Sequence, residues 1–399
     1  MTKKTDENVV QLSKAAGRPM LSWVGKHVPA SIRAYPAQEV ERFGSPPSPT
    51  PEWDSWPENV PRGGLLYHGD NTDVLAQLLV SGFRGTVDLI YIDPPFDSGA
   101  DYVRKVQLRG AKGQVKLEGE AYSLGEQVQY TDIWANDNYL QFMFERLLLM
   151  KELMAPDSFI VVHCDWKKSH QLRCIMDEVF GADAFQNEIY WHFYNKMHDD
   201  RKGILPRATN TLLVYRKGSA KVNKLSEPRD KVVRQIKRVK VNGVLQNLKD
   251  ESGGIVYQES EDRTVDNIWS IPLIPPADVK QKTDYPTQKP EALLEMVLHA
   301  YSKPGALVLD SFVGSGTTAV VAQRLGRRWI GCDINKGCNS NDDKAPRLYD
   351  RQSALQRLSR DSRRSSRDRG EAHAVWVYSP EGERLRPRHT AQRSGTAGS

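Results

Sequence analysis

Short apolar runs recur along this chain, each bounded by glycine, proline or an acid, and stretches with helical spacing lie between them. Val87–Ile92 is short, β-branched and apolar, the pattern of a strand buried on both faces of a parallel sheet. Residues 65–68, 158–163 and 306–310 read the same way, and Arg328–Asp333 is a further strand ending in an acid. Helical apolar spacing marks 74–79, 138–153, Ser169–Phe180 with Gly181 as its stop, Glu291–Tyr301, and 319–325. The strands at 65–68 and 87–92, joined through a helix, make a βαβ unit. The expected fold is therefore α/β with a mostly parallel sheet, and 188–193 with 211–215 form an antiparallel hairpin at its edge.

Four regions break this rhythm. Residues 1–60 form an arm with little regular pattern, ending in the stiff Pro46-Pro47-Ser48-Pro49-Thr50-Pro51 linker. Trp23, Ile32, Tyr35 and Phe43 are expected to pack parts of that arm onto the body. Residues 97–135 are a polar loop holding Asp97, Asp101, Tyr102 and Tyr130, expected to act as a mobile lid. Residues 196–284 are basic and rich in proline at their exit, and 338–399 are an Arg/Ser-rich tail. The resulting division is 1–60 arm, 61–195 first half of the α/β domain, 196–284 insertion, 285–337 second half, and 338–399 tail.

Composition narrows the class. The chain has 399 residues, 39% apolar and 27% charged, in the range of soluble proteins. No run is apolar enough to span a membrane, and the polar N-terminus is unlike a signal core. Four cysteines without a Cys-x-x-Cys pair favour reduced thiols and a cytoplasmic location. His163, His170, His192 and His198 follow no metal-ligand spacing, so no metal is expected. The net charge is +6, yet residues 196–250 alone carry 15 Lys/Arg against 5 Asp/Glu. Such a block suits a nucleic-acid partner, with Lys231, Arg234, Lys237, Arg238 and Lys240 as candidate phosphate contacts; a solvated lysine-rich loop accounts for the charge equally well.

Two stretches carry chemistry. The first strand runs straight into Asp93-Pro94-Pro95-Phe96. Open α/β sheets place ligands at the carboxyl ends of their strands, and the prolines fix the backbone as it leaves the sheet. One carboxylate and a bare carbonyl are acceptors for the two hydrogens of an exocyclic amine, and Phe96 offers a face for a planar base. The second stretch is strand, Gly314-Ser315-Gly316 turn, helix, strand and acid (Asp333). The turn lets a ligand approach the backbone, and Asp333 is placed to bind ribose hydroxyls. Asp310 would repel the pyrophosphate of a dinucleotide and favour a cation, as S-adenosylmethionine provides.

Together these stretches resemble the DNA amino-methyltransferases. Asp93–Phe96 is similar to their catalytic (Asp/Asn/Ser)-Pro-Pro-(Tyr/Phe/Trp) motif, and Asp310 to Thr317 to their cofactor motif. Thr287-Gln288-Lys289-Pro290 is similar to the segment before the latter, and Gly69-Asp70-Asn71 to the turn before the former. Catalytic motif, basic insertion, cofactor motif is the order of the β group, which includes modification methylases of restriction systems. The resemblance implies a Rossmann-like S-adenosylmethionine-dependent sheet with a DNA-recognition insertion, the Asp93 and Asp310 strands being neighbours. It implies that Asp93 and the Pro94 carbonyl hold a flipped-out amine, with Pro95 stiffening the turn and Phe96 stacking on the base. Asp310, Phe312, Gly314, Ser315, Gly316 and Thr317 would line the methionine side, Thr287 and Lys289 would lie beside it with Lys289 facing the carboxylate, and Asp70 and Asn71 would approach the adenine. Asp at 93 favours adenine N6 in double-stranded DNA; cytosine N4, a catalytically inactive DNA-binding protein, or RNA are the other readings. A restriction subunit and a second copy of the chain are the candidate partners.

After Gly337 the character changes. A helix covering the last strand is expected, but Cys338-Asn339-Ser340-Asn341 and a weakly periodic tail follow. A one-nucleotide shift of frame can convert this stretch to Ala-Ile-Gln-Thr-Thr-Thr-Lys-Arg, so the tail is read either as frameshifted or as a natural disordered basic segment.

Overall fold

A computed structural model describes residues 8–43, 63–96, 102–105, 126–130, 136–197, 203, 205–276, 278, 281, 285, 287–334 and 376–377. The chain forms two compact units, one of residues 1–221 with 267–355 and the other of 222–266 with 356–399.

In the first unit the arm is more ordered than its polar sequence suggests. β1 (Val9–Gln11) pairs antiparallel with β2 (Ser31–Arg33), and β3 (Gln38–Phe43) joins the main sheet, antiparallel to β4 (Gly64–His68). Trp23 is buried, its Nε1 donating to Gln141 at 3.1 Å, whereas Tyr35 is exposed, contrary to expectation. α1 (Asn71–Leu78) starts where Asp70 accepts from the Thr72 N–H at 2.7 Å, an N-cap that satisfies a free amide. β5 (Val87–Ile92) follows. Within the loop expected at 97–135, β6 (Tyr102–Lys105) and β7 (Glu126–Tyr130) pair antiparallel; Asp97 and Asp101, and so most of the lid reading, lie outside the described residues.

α2 (Asn136–Leu153) runs into β8 (Met154–Cys164), and α3 (Ser169–Phe180) ends at Gly181, whose φ of 93° stops a helix. β9 (Phe185–His192) and β10 (Thr209–Lys217) form the expected antiparallel hairpin. It is not the sheet edge, because β15 (Ile268–Ser270) pairs parallel outside β9. α4 (Glu291–Tyr301), β16 (Leu307–Asp310), α5 (Thr317–Arg324) and β17 (Arg328–Asp333) complete the unit.

The main sheet has the order β15-β9-β10-β8-β5-β16-β17-β4-β3. Its central strands β8, β5, β16, β17 and β4 are parallel, giving a Rossmann-like α/β fold. From β5 the chain crosses to β8, and from β16 it crosses the opposite way to β17, so the order reverses between β5 and β16. A crevice at the carboxyl ends of those two strands is where such folds bind ligands. α1, α2 and α3 pack on the face carrying Ile90, Ile92, Ile160, Val162 and Leu309. α4 covers the other face, with the Tyr301 ring 5.1 Å from Phe159.

The second unit is β. β11 (Leu225–Ile236) pairs antiparallel with β14 (Tyr257–Thr264) and with β18 (Trp376–Val377). β12 (Arg238–Val241) and β13 (Val244–Asn247) form a hairpin whose turn residues, Asn242 and Gly243, have φ of 50° and 83°. Of the basic stretch 196–284, β10 and β15 thus belong to the main sheet and 222–266 to this unit. Apart from β18, residues 335–399 lie outside the described residues, and with them the question of a frameshifted tail.

Candidate active site

Asp93 leaves the end of β5 beside β16, since Val308 and Leu309 pair with Leu89 and Ile90. That register places Leu89, Tyr91 and Asp93 on the same face as Val308 and Asp310. The crevice there is lined by Tyr91, Asp93, Tyr285, Thr287, Lys289, Asp310, Phe312, Gly314, Ser315 and Thr317. Both motifs of the sequence therefore meet in one cavity, together with the Thr287–Lys289 segment.

The cofactor-motif side is shaped by backbone geometry. Gly314 has φ of 48° and Gly316, at the start of α5, φ of 79°, a left-handed region that glycine enters without strain. A Cβ on Gly314 would lie 3.1 Å from the Tyr285 ring. Asp333 is buried and its Oδ2 accepts the Gly314 N–H at 2.9 Å, tying the end of β17 to the turn. Ser315 and Thr317 hydroxyls lie 2.9 Å apart. Asp310 Oδ1 accepts the Phe312 N–H at 3.0 Å. Burial raises the Asp310 carboxyl to about 7, with Asp93 and Asp333 adding to the rise and the Thr318 hydroxyl and Phe312 N–H opposing it. The Ser311 hydroxyl is buried without a hydrogen bond among the described residues. A buried acid with a raised pKa and an unused hydroxyl beside a glycine turn fit a ligand that brings a cation and hydrogen-bonding groups, as S-adenosylmethionine does.

Asp70 and Asn71 are joined through a residue the sequence did not single out. Arg146 of α2 is buried and donates to both Asp70 oxygens, at 3.1 and 3.0 Å, and to Asn71 Oδ1. Its guanidinium lies 3.4 Å from the Phe142 ring centroid. Asn71 Nδ2 in turn donates to the Ser311 carbonyl at 3.2 Å, linking this turn to the cofactor motif. The motif spacing alone could not identify Arg146, which lies 75 and 76 positions away from its partners.

At the catalytic motif, Lys289 Nζ donates to Asp93 Oδ2 and to the Thr287 carbonyl at 3.2 Å, and lies 5.3 Å from the Phe96 ring centroid. Lys289 thus lies against Asp93 rather than standing free for a methionine carboxylate. Behind Asp93 stand Tyr91 and His163, both fully buried. Pro94 is buried and Pro95 half-buried. The five basic residues Lys231, Arg234, Lys237, Arg238 and Lys240 are exposed in the second unit, on β11, β12 and the link between them. The Arg234 guanidinium lies 4.5 Å from the Tyr257 ring centroid.

Residues 87–340 match the N6/N4 family of DNA methylases. The Type II methyltransferase M.EcaI of Enterobacter cloacae is 25% identical over 315 residues, which cover 66% of this chain and 65% of that protein. This chain therefore spans just under two thirds of that relative's length. The DNA adenine methyltransferase YhdJ of Escherichia coli (strain K12) is 22% identical over 280 residues, 68% of this chain and 78% of that protein. Among solved structures, the PvuII DNA methyltransferase (cytosine-N4-specific) is similar at 18% identity and a TM-score of 0.43, covering 74% of this chain and 93% of that one.

Proposed function

This chain belongs to the N6/N4 DNA methylase family, and from that premise we propose that it transfers a methyl group from S-adenosylmethionine to the N6 amine of adenine in double-stranded DNA. The observation that carries the reading is the meeting of Asp93, the first residue of Asp93–Phe96, and the Asp310–Thr317 turn in one crevice, at the point where the strand order reverses. S-adenosylmethionine, when bound, supplies a methyl group activated on a sulfonium. Asp310, the Gly314–Thr317 turn and Asp333 are the residues proposed to hold it, with Asp70 and Asn71 at its adenine and Thr287 and Lys289 near its methionine end.

The target amine is a weak nucleophile because its lone pair is delocalised into the ring. Asp93 Oδ2 and the Pro94 carbonyl accept its two hydrogens, which localises that pair on nitrogen. The Phe96 face holds the base plane, so positioning supplies much of the rate. Asp93 is the group that takes the proton the nitrogen loses. A paired base cannot reach this pocket and has to be flipped out of the duplex. The basic residues of the second unit are proposed to contact phosphates.

Asp at position 93 and the likeness to an adenine methyltransferase support adenine. A restriction enzyme acting at the same sequence is the partner that the likeness to a type II methyltransferase supports, and its setting would be the cytoplasm. Labelled methyl transfer to mixed genomic DNA followed by nucleoside analysis tests the proposal. N6-methyladenine is the expected product; N4-methylcytosine would overturn the choice of base, and unlabelled DNA would overturn the activity.

A further inference from the structure

We propose that His163 is a positioning residue for the target amine, setting its ring against the Asp93 carboxylate and bracing Phe96 from behind. The inference rests on the methyl-transfer reading above and goes beyond the motif, because His163 lies 70 residues from Asp93 on another strand.

His163 sits at the carboxyl end of β8, where Val162 pairs with Ile92. It is fully buried, an uncommon place for an imidazole whose contacts are polar. Its Nε2 lies 3.1 Å from the Asn210 side-chain amide on β10. With the amide nitrogen as donor, Nε2 is the acceptor, and the ring hydrogen stands on Nδ1. Nδ1 faces the Tyr91 hydroxyl at 3.1 Å and Asp93 Oδ1 at 3.5 Å. Asp93 Oδ1 is buried and has no hydrogen bond among the described residues. One carboxylate oxygen thus faces Lys289 and the crevice, and the other lies 3.5 Å from His163 Nδ1, whose hydrogen bond is with the Tyr91 hydroxyl.

The same ring meets the base-stacking side chain. Phe96 lies 5.7 Å from His163, and Trp191 closes the far edge at 5.6 Å. Burial, against the pull of Asp93 and with the help of Lys289, lowers the imidazole to about 3, so it stays neutral and keeps one N–H for donation. The groups facing Asp93 are therefore Lys289 from the segment before α4, His163 from β8, Tyr91 from β5 and Asp310 from β16.

Three variants and one spectrum test this. His163→Leu removes the donor while keeping an apolar volume; kcat is expected to fall about 10- to 100-fold. Cofactor affinity should stay within about twofold, while melting temperature should fall in both His163 variants or in the Leu variant alone, because Tyr91 and Asn210 lose a buried partner. His163→Asn, whose amide nitrogen takes the place of Nδ1, should recover most of kcat. Asn210→Leu, which frees the far side of the ring, should lower kcat by less. A fully active His163→Leu protein, or a folded His163→Asn protein as impaired as the Leu variant, would overturn the assignment. Nitrogen NMR of labelled histidine decides independently of activity. It should show a proton on Nδ1 and no titration between about pH 5 and 8; an Nε2–H tautomer or a midpoint near 6.5 contradicts the proposal.

Discussion

Two carboxylates at neighbouring strand ends stand in different surroundings. Asp93 has one oxygen on Lys289 and the other facing His163. Asp310 is different: it is fully enclosed and has an N–H and a hydroxyl as its supports. Its carboxyl ordinarily titrates at 3.8 and here at about 7. Between these values the folded protein binds a proton that the unfolded chain does not. This stability is present below pH 3.8 and is lost as pH rises through about 7. Without cofactor, the wild type should melt at lower temperature at pH 8 than at pH 6, and Asp310→Asn should remove that part of the slope. Cofactor affinity should rise with pH up to about 7, then level, because a cation is held by the ionised form; titration calorimetry in buffers of different ionisation heat would show the released proton. An affinity flat across that range would contradict the role given to Asp310.

The elements that position these residues explain which of them the sequence disclosed. The strands ending in Asp93, Asp310 and Asp333 are apolar on both faces, so their burial and their acid ends were readable from the chain. β3 was not, because Gln38-Glu39-Val40-Glu41-Arg42 carries the charges of an edge strand and reads as coil. β15, of three residues, is too short for any periodicity to mark it and is held by its pairing with β9. Arg146, His163 and Asn210 were missed for a related reason: each acquires its role from a partner on another element. The glycine turn shows the converse, since its freedom is required locally. Gly314→Ala would force φ of 48° on a residue with a Cβ and press it 3.1 Å from Tyr285. The expected cost is about 1–2 kcal/mol of stability, with weakened cofactor binding. Arg146→Met should release Asp70 and Asn71 together, weakening cofactor binding more than Asp70→Ala does; equal effects would argue against the shared anchor.

On the scale of the molecule, the chain separates a helix-covered sheet from a β unit with exposed basic residues. If the second unit supplies phosphate contacts, replacing Lys231, Arg234, Lys237, Arg238 and Lys240 by Ser should weaken binding to all duplex sequences and flatten its salt dependence. Each lost contact lowers the slope of log K against log salt by about 0.9. Cofactor binding should be unaffected, and an unchanged slope would remove those residues from the interface. The division of the basic stretch was only partly legible: its charge stands out in the sequence, but the strands at 209–217 and 268–270 are assigned to the main sheet by their pairing with β8 and β9.

The most direct test of the central claim is methyl transfer and cofactor binding measured side by side in the wild type and in Asp93→Ala. The account predicts label on the exocyclic amine of adenine with the wild type. It predicts a loss of at least about a thousandfold in the variant, the scale of removing a central transition-state contact, while cofactor binding is retained within a few-fold. An Asp93→Ala protein that still methylates DNA would contradict the assignment of the catalytic site.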